Sequence, residues 1–150
     1  LQTVLEEHGI ATQLLSALSI DGIVSKTSFR KAVSHLENNE VVIFVGGTGN
    51  SFFTTDTAAA LRAVEIQADL LLKGTRVDGV YDADPEKVLT AKKFDQISYE
   101  QAYTMGLNIL DLTAFTLCQE NQMPIYVYNA NIPKNLLKIL QGEHIGTIIN

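Results

Sequence analysis

The stretch that most limits how this chain can fold is residues 41–72. Val41 to Val45 is an unbroken run of β-branched and aromatic residues, Gly46 to Ser51 is rich in glycine, and Thr54, Thr55 and Asp56 are helix-starting types. Thr57 to Gln67 is rich in alanine, and a second apolar run, Ala68 to Leu72, follows at once. A continuous apolar run of strand length reads as a strand buried on both faces, the usual condition of a parallel sheet. Strand, loop, helix and strand in this order form a βαβ unit, which favours right-handed parallel pairing.

The rest of the chain keeps the same alternation. Helical spacing is expected over Thr3 to Leu18, with Gly9 interrupting or bending it, then a short strand over Ile20 to Val24. Thr27 and Ser28 can cap a helix carrying Phe29, Ala32, Val33 and Leu36 on one side, which Asn38 and Asn39 end as a turn. Asp78-Gly79 is a turn leading into Val80 and Tyr81, and Glu86 to Asp95 reads as an exposed connection. Helices are expected from Ser98 to near Gly106, over Leu112 to Glu120, and over Asn135 to Leu140 after Pro133. Ile125 to Tyr128 is a strand, and Thr147 to Ile149 a terminal edge strand. With no repeat and no linker, one α/β domain over residues 1–150 is expected.

Composition bounds the function classes. The chain is 46% hydrophobic and 19% charged, a globular balance, and no apolar run approaches the length of a membrane span. No signal peptide is visible at the start, and the first residue is leucine, so the chain is expected to begin inside a longer polypeptide or to have been processed. A net charge of −6 argues against a nucleic-acid partner gripped through its phosphates, but not against small phosphorylated ligands. The single cysteine, Cys118, excludes an internal disulfide and a thiolate metal cage, fits a reducing cytoplasm, and reads as a small core residue of a helix.

Gly46-Gly47-Thr48-Gly49-Asn50 follows a buried strand directly and precedes a helix. In open α/β sheets ligands bind at the carboxyl ends of strands, and glycines let a backbone approach an anion closely. A helix start adds unpaired N–H groups and partial positive charge. The Gly-Lys-Ser/Thr ending of a Walker loop is absent, and a dinucleotide fingerprint counted from Gly47 would need glycine where Phe52 stands. The alternative is a tight turn joining strand to helix. Beyond the loop, the hydroxyls of Thr54 and Thr55 can bond phosphate or a base edge, and Phe52 and Phe53 can pack on a nucleobase. Equally, a threonine can simply cap the helix while the phenylalanines fill the core. Asp56 suits the helix dipole, or can orient a lysine or a metal near a transferring phosphate.

A second polar cluster begins at Lys73, just after the apolar run that ends at Leu72. A lysine there can neutralise phosphoryl charge, or be an ordinary strand-end lysine. In Thr75 to Pro85, Tyr81 can flank an adenine ring and Asp84 can accept a ribose or amino hydrogen bond. The acidic residues of this turn can also be solvated loop or a weak cation site.

Taken together, Gly47-Thr48-Gly49-Asn50, Phe52-Phe53-Thr54-Thr55-Asp56, Leu72-Lys73, Val77-Asp78-Gly79-Val80-Tyr81, Ala83-Asp84-Pro85, Asp111-Leu112, Ala114-Phe115-Thr116-Leu117 and Pro124-Ile125 resemble bacterial uridylate kinases of the amino acid kinase superfamily. The resemblance runs through essentially the whole chain. It implies a three-layer α/β/α sandwich with a mostly parallel central sheet, lacking its N-terminal ATP-phosphate-binding portion. It implies transfer of the γ-phosphoryl group of ATP to UMP, with Mg²⁺ accompanying ATP. By position, Thr48, Gly49, Asn50, Ser51, Phe52, Phe53, Thr54 and Thr55 would bind UMP. Thr75, Tyr81 and Asp84 would belong to the ATP site. Asp56 and Lys73 would be active-centre charges, and Asp111 would lie near the phosphates. Ser51 departs from the proline that many relatives carry. A cytoplasmic homohexamer, activated by GTP and inhibited by UTP, is also implied. Two rivals stay open: a sister kinase acting on acetylglutamate, aspartate or carbamate, and a non-catalytic nucleotide-binding module.

Overall fold

The computed structural model describes residues 1–19 and 24–150, so most of the strand expected over Ile20 to Val24 lies outside the described residues. The chain divides into two compact units, Leu1–Gln67 and Ala68–Asn150.

The first unit contains α1 (Gln2–Glu7), β1 (Thr12–Ser16), β2 (Ser25–Lys26), α2 (Phe29–Glu37), β3 (Val41–Val45) and α3 (Thr55–Glu65). Its strands are parallel in the order β2-β1-β3, with Leu14 opposite Ile43 and Ser16 opposite Val45. The helix expected over Thr3 to Leu18 is therefore corrected. It stops after one and a half turns, and Thr12–Ser16 becomes a strand. A short apolar pair such as Leu14-Leu15 fits either period, and only the ladder to β3 decides between them. Val41–Val45 has the expected bounds but not the expected burial: Val41 and Val45 are 40% and 37% exposed, because β3 is an end strand of this ladder.

Helix α3 starts two residues earlier than its alanine run suggested. The Thr54 hydroxyl accepts from the N–H groups of Asp56 (3.1 Å) and Thr57 (3.2 Å), satisfying two of the donors that a helix start leaves open. Thr57, Ala58, Ala60 and Ala63 form its buried face.

The second unit contains β4 (Leu71–Thr75), β5 (Gln96–Ile97), α4 (Tyr99–Thr104), α5 (Leu112–Glu120), β6 (Ile125–Asn129), α6 (Asn135–Leu140) and β7 (Thr147–Ile149). The strand order is β4-β6-β7-β5. β4 runs parallel to β6 and β5 parallel to β7, while β6 and β7 are antiparallel. The terminal strand is thus interior rather than an edge, and Thr147 and Ile149 are wholly buried. β4 begins three residues later than the apolar run Ala68 to Leu72, so Lys73 lies inside the strand, opposite Val127.

Local chemistry sets the helix starts here too. Ser98 and Gln101 form a reciprocal capping box at α4. Asp111 caps α5 by accepting from the N–H of Ala114 at 3.0 Å. Between these helices, the rings of Tyr99 and Phe115 meet edge to face at 5.1 Å. The buried Tyr99 hydroxyl donates to the Met123 carbonyl at 2.5 Å.

Candidate functional site

The loop after β3 gathers the first group of expected residues. Gly46 has φ of 76°, and a Cβ there would lie 3.1 Å from the Ser16 hydroxyl oxygen and 3.4 Å from the Ala17 nitrogen. Only glycine meets both conditions at no cost. The turn is then fastened from within: the Thr48 hydroxyl accepts from the Asn50 N–H at 3.1 Å, and the Gly49 N–H donates to the Gly46 carbonyl at 3.2 Å. From α3, Arg62 reaches the Gly47 carbonyl at 3.5 Å, ion-pairs with Glu65 at 2.5 Å and lies over the Phe44 ring.

The alternative in which the two phenylalanines fill the core does not hold. Phe53 is half exposed and Phe52 fully so, with Phe52 at φ of 70°. A bulky side chain in the left-handed region is a genuine outlier, and such strain concentrates at ligand-binding and switch segments. The capping alternative for Thr54 does hold, since its oxygen bonds the helix start. Thr48 to Thr55, with Asp56 in the first helical turn, therefore form one continuous surface segment of loop and helix start.

The second unit holds a cavity of about 610 Å³. That lies inside the range of about 300–1,000 Å³ common for small-molecule sites. Its lining includes Lys73, Thr75, Tyr81 and Asp84, so every residue expected for an ATP site borders one cavity together with the candidate active-centre lysine. Asp111 is not among the lining residues, and its described bond is the helix cap.

Sequence reasoning missed part of the wall, the segment from Met105 to Ile109 after α4. Its sole signal was Gly106, which reads only as a helix end. Lys73 and Arg76 offer positive charge beside the carboxylates of Asp82 and Asp84, and Val77, Leu107 and Ile109 offer apolar surface, a mixed lining suited to a polar ligand that carries a ring system.

Electrostatics fix the polar side chains of this wall. The Tyr81 hydroxyl donates to Asp78 at 2.6 Å, and Lys93 pairs with the other Asp78 oxygen at 3.3 Å. Burial alone would raise the Asp78 carboxyl, but the bonds from Tyr81 and Lys93 outweigh it and hold it below the usual carboxylate value. The same hydrogen bond to Asp78 pushes the Tyr81 phenol up to about 12. Asp84 is lowered by hydrogen bonds from Lys87 and from the Glu86 N–H. Thr75 is turned toward its own loop, donating to the Val77 carbonyl at 2.7 Å and accepting from the Val77 N–H at 3.1 Å.

A glycine loop closing a parallel strand and a nucleotide-sized cavity with a lysine in its wall are features of phosphoryl-group-binding α/β proteins. The chain belongs to the amino acid kinase family, whose sequence model matches residues 1–129. Among curated relatives, it is 49% identical over 149 residues to a uridylate kinase of Legionella pneumophila (strain Corby), covering 99% of this chain and 61% of the relative. It is 48% identical over 150 residues to a uridylate kinase of Parabacteroides distasonis, covering 100% of this chain and 64% of the relative. A solved structure of UMP kinase from Ureaplasma parvum aligns with a TM-score of 0.95 at 36% identity, covering 99% of this chain and 64% of that one. The UMP kinase structure from Bacillus anthracis gives 0.95 at 30% identity, with 99% and 62% covered. The chain therefore spans a little over three fifths of the length of these relatives.

Proposed function

We propose that this chain is the larger part of a UMP kinase, which transfers the γ-phosphoryl group of ATP to UMP to give UDP. The observation that carries this reading is the segment from Gly47 to Asp56. Its glycine turn leads into two solvent-facing phenylalanines and a hydroxyl-capped helix start, in a chain about half identical to uridylate kinases. The family match crosses the boundary between the two units, which supports reading them as parts of one domain.

In this reading Thr48 to Thr55 hold UMP, with the phenylalanine rings against the base and the loop N–H groups on the phosphate. Thr75, Tyr81 and Asp84 hold ATP in the cavity of the second unit. An oxygen of the UMP phosphate attacks the γ-phosphorus while the bond to the β–γ bridging oxygen breaks and ADP leaves. That oxygen already carries negative charge, so no strong general base is needed, and the work of the site is positioning and charge stabilisation. Lys73 offsets the repulsion between the two anions, Asp56 orients a cation beside the transferring group, and Asp111 lies in the phosphate region.

Among the described residues no three His, Cys, Asp or Glu side chains cluster as a metal cage. In this reading Mg²⁺ would arrive with ATP, held by the nucleotide phosphates and typically one or two carboxylates, for which Asp56 is the candidate. When bound, the ion neutralises phosphate charge. No helix among the described residues is long and apolar enough to cross a membrane. A cytoplasmic homohexamer, activated by GTP and inhibited by UTP, completes the proposal.

The test is an acceptor screen on the full-length protein with ATP and UMP, CMP, AMP, acetylglutamate, aspartate or carbamate. UMP should be the preferred acceptor. Preference for an amino acid or carbamate would assign a sister activity, and nucleotide binding without transfer would assign a binding module. The isolated 150-residue chain should show no UMP-dependent ATP consumption.

A further inference from the structure

Behind Tyr81 lies a charged arrangement that the roles above leave unused. Residues 80–82 and 92–94 run side by side: the Phe94 N–H donates to the Val80 carbonyl at 2.9 Å, and the Asp82 N–H to the Lys92 carbonyl at 3.1 Å. An isolated antiparallel bridge joins Tyr81 and Lys93. Residues directly opposite in such a pair are side-chain neighbours. Asp78, three residues before Tyr81, accepts a hydrogen bond from the phenol O–H on one oxygen and from the Lys93 ammonium on the other. Tyr81 lines the cavity, whereas Asp78 and Lys93 do not.

A phenol held at one end by a carboxylate cannot swing about its Cα–Cβ bond without breaking that hydrogen bond, and the carboxylate is itself tethered by the lysine. The turn's backbone has anchors besides this trio. It is held by the bonds to residues 92–94 and by the buried bond from the Val80 N–H to the Thr147 hydroxyl at 2.8 Å. Removing a member of the trio should therefore loosen the ring rather than the loop.

We propose that Asp78 and Lys93 are positioning residues for the nucleotide pocket: together they lock Tyr81 in the orientation that makes its ring a rigid wall for the adenine of ATP. The proposal rests on the kinase reading above and adds to it two residues that need not touch the nucleotide. A pre-set ring removes ordering cost from binding, so its loss is felt by the ligand that stacks on it. Asp78 is half exposed to solvent, which keeps the effect moderate.

The experiment measures direct ATP binding by calorimetry, together with the KM values for ATP and UMP, on the full-length protein and on Asp78→Asn, Tyr81→Phe, Lys93→Met and Lys93→Arg, with thermal unfolding of each. The expected result is an approximately three- to tenfold weaker affinity and higher KM for ATP in the first three variants. The KM for UMP should stay within about twofold, and Lys93→Arg should recover most of the loss. Wild-type ATP affinity in Asp78→Asn and Tyr81→Phe, with or without a change in melting temperature, overturns the proposal and leaves the kinase reading standing. A wild-type protein that binds no ATP overturns both, and is told apart by that control alone.

Discussion

Replacing Thr147 by valine removes one oxygen and leaves the side chain's shape nearly unchanged. In this protein that oxygen joins two segments distant in sequence. It accepts from the buried N–H of Val80 at 2.8 Å and donates to the Phe94 carbonyl, so it ties the turn that walls the cavity to a strand centred in the sheet. Thr147 is wholly buried and Val80 nearly so, so bulk solvent does not reach the bond. An orphaned buried polar group costs on the order of 1–3 kcal/mol. The Val80 N–H should take a full share and the partly accessible Phe94 carbonyl less, giving a loss of roughly 2–4 kcal/mol for Thr147→Val. Thr147→Ser keeps the oxygen and gives up a methyl group, for about 1 kcal/mol. Urea unfolding of the three proteins measures both numbers. Amide exchange should show Val80 losing more protection than the amides of β6. A Thr147→Val loss below about 0.5 kcal/mol, the size of an ordinary surface substitution, would refute the reasoning.

The remaining expectations are narrower. Asp56→Asn and Thr55→Ala should each cut UMP kinase turnover at least about tenfold, and normal turnover in either removes that residue from the active centre. Cys118 is wholly buried, and its thiol is pushed up to about 11 by burial. It should resist a thiol reagent at pH 8 until denaturant is added, and rapid labelling of the folded protein would contradict that. Asp78 is lowered below its ordinary value of 3.8, so its bonds stabilise the fold above that pH and lose this contribution as pH falls through the lower folded-state value. The stability gap between wild type and Asp78→Asn should therefore narrow below about pH 4, and a gap that widens in acid would count against the assignment.

Much of this arrangement is legible in the sequence because it is local. β3, α5, α6 and β7 have the bounds their apolar runs and capping residues suggest, since a helix start or a short strand is governed by a few neighbouring side chains. The glycine loop is legible for the same reason. Its φ values and the threonine caps around it are properties of residues only a few positions apart.

What the sequence could not settle depends on partners far along the chain. Leu14 and Leu15 fit helix or strand until the ladder to Ile43 and Phe44 fixes them as strand. Thr147–Ile149 looks like an edge until β6 and β5 flank it. The same holds for the cavity wall at Met105 to Ile109, and for Lys93 standing opposite Tyr81. Residue chemistry and local hydrogen bonding were set by the sequence itself. Which strand lies beside which, and hence which side chains share a pocket, was decided only by tertiary packing, because burial and long-range pairing carry energies that no short window of residues contains.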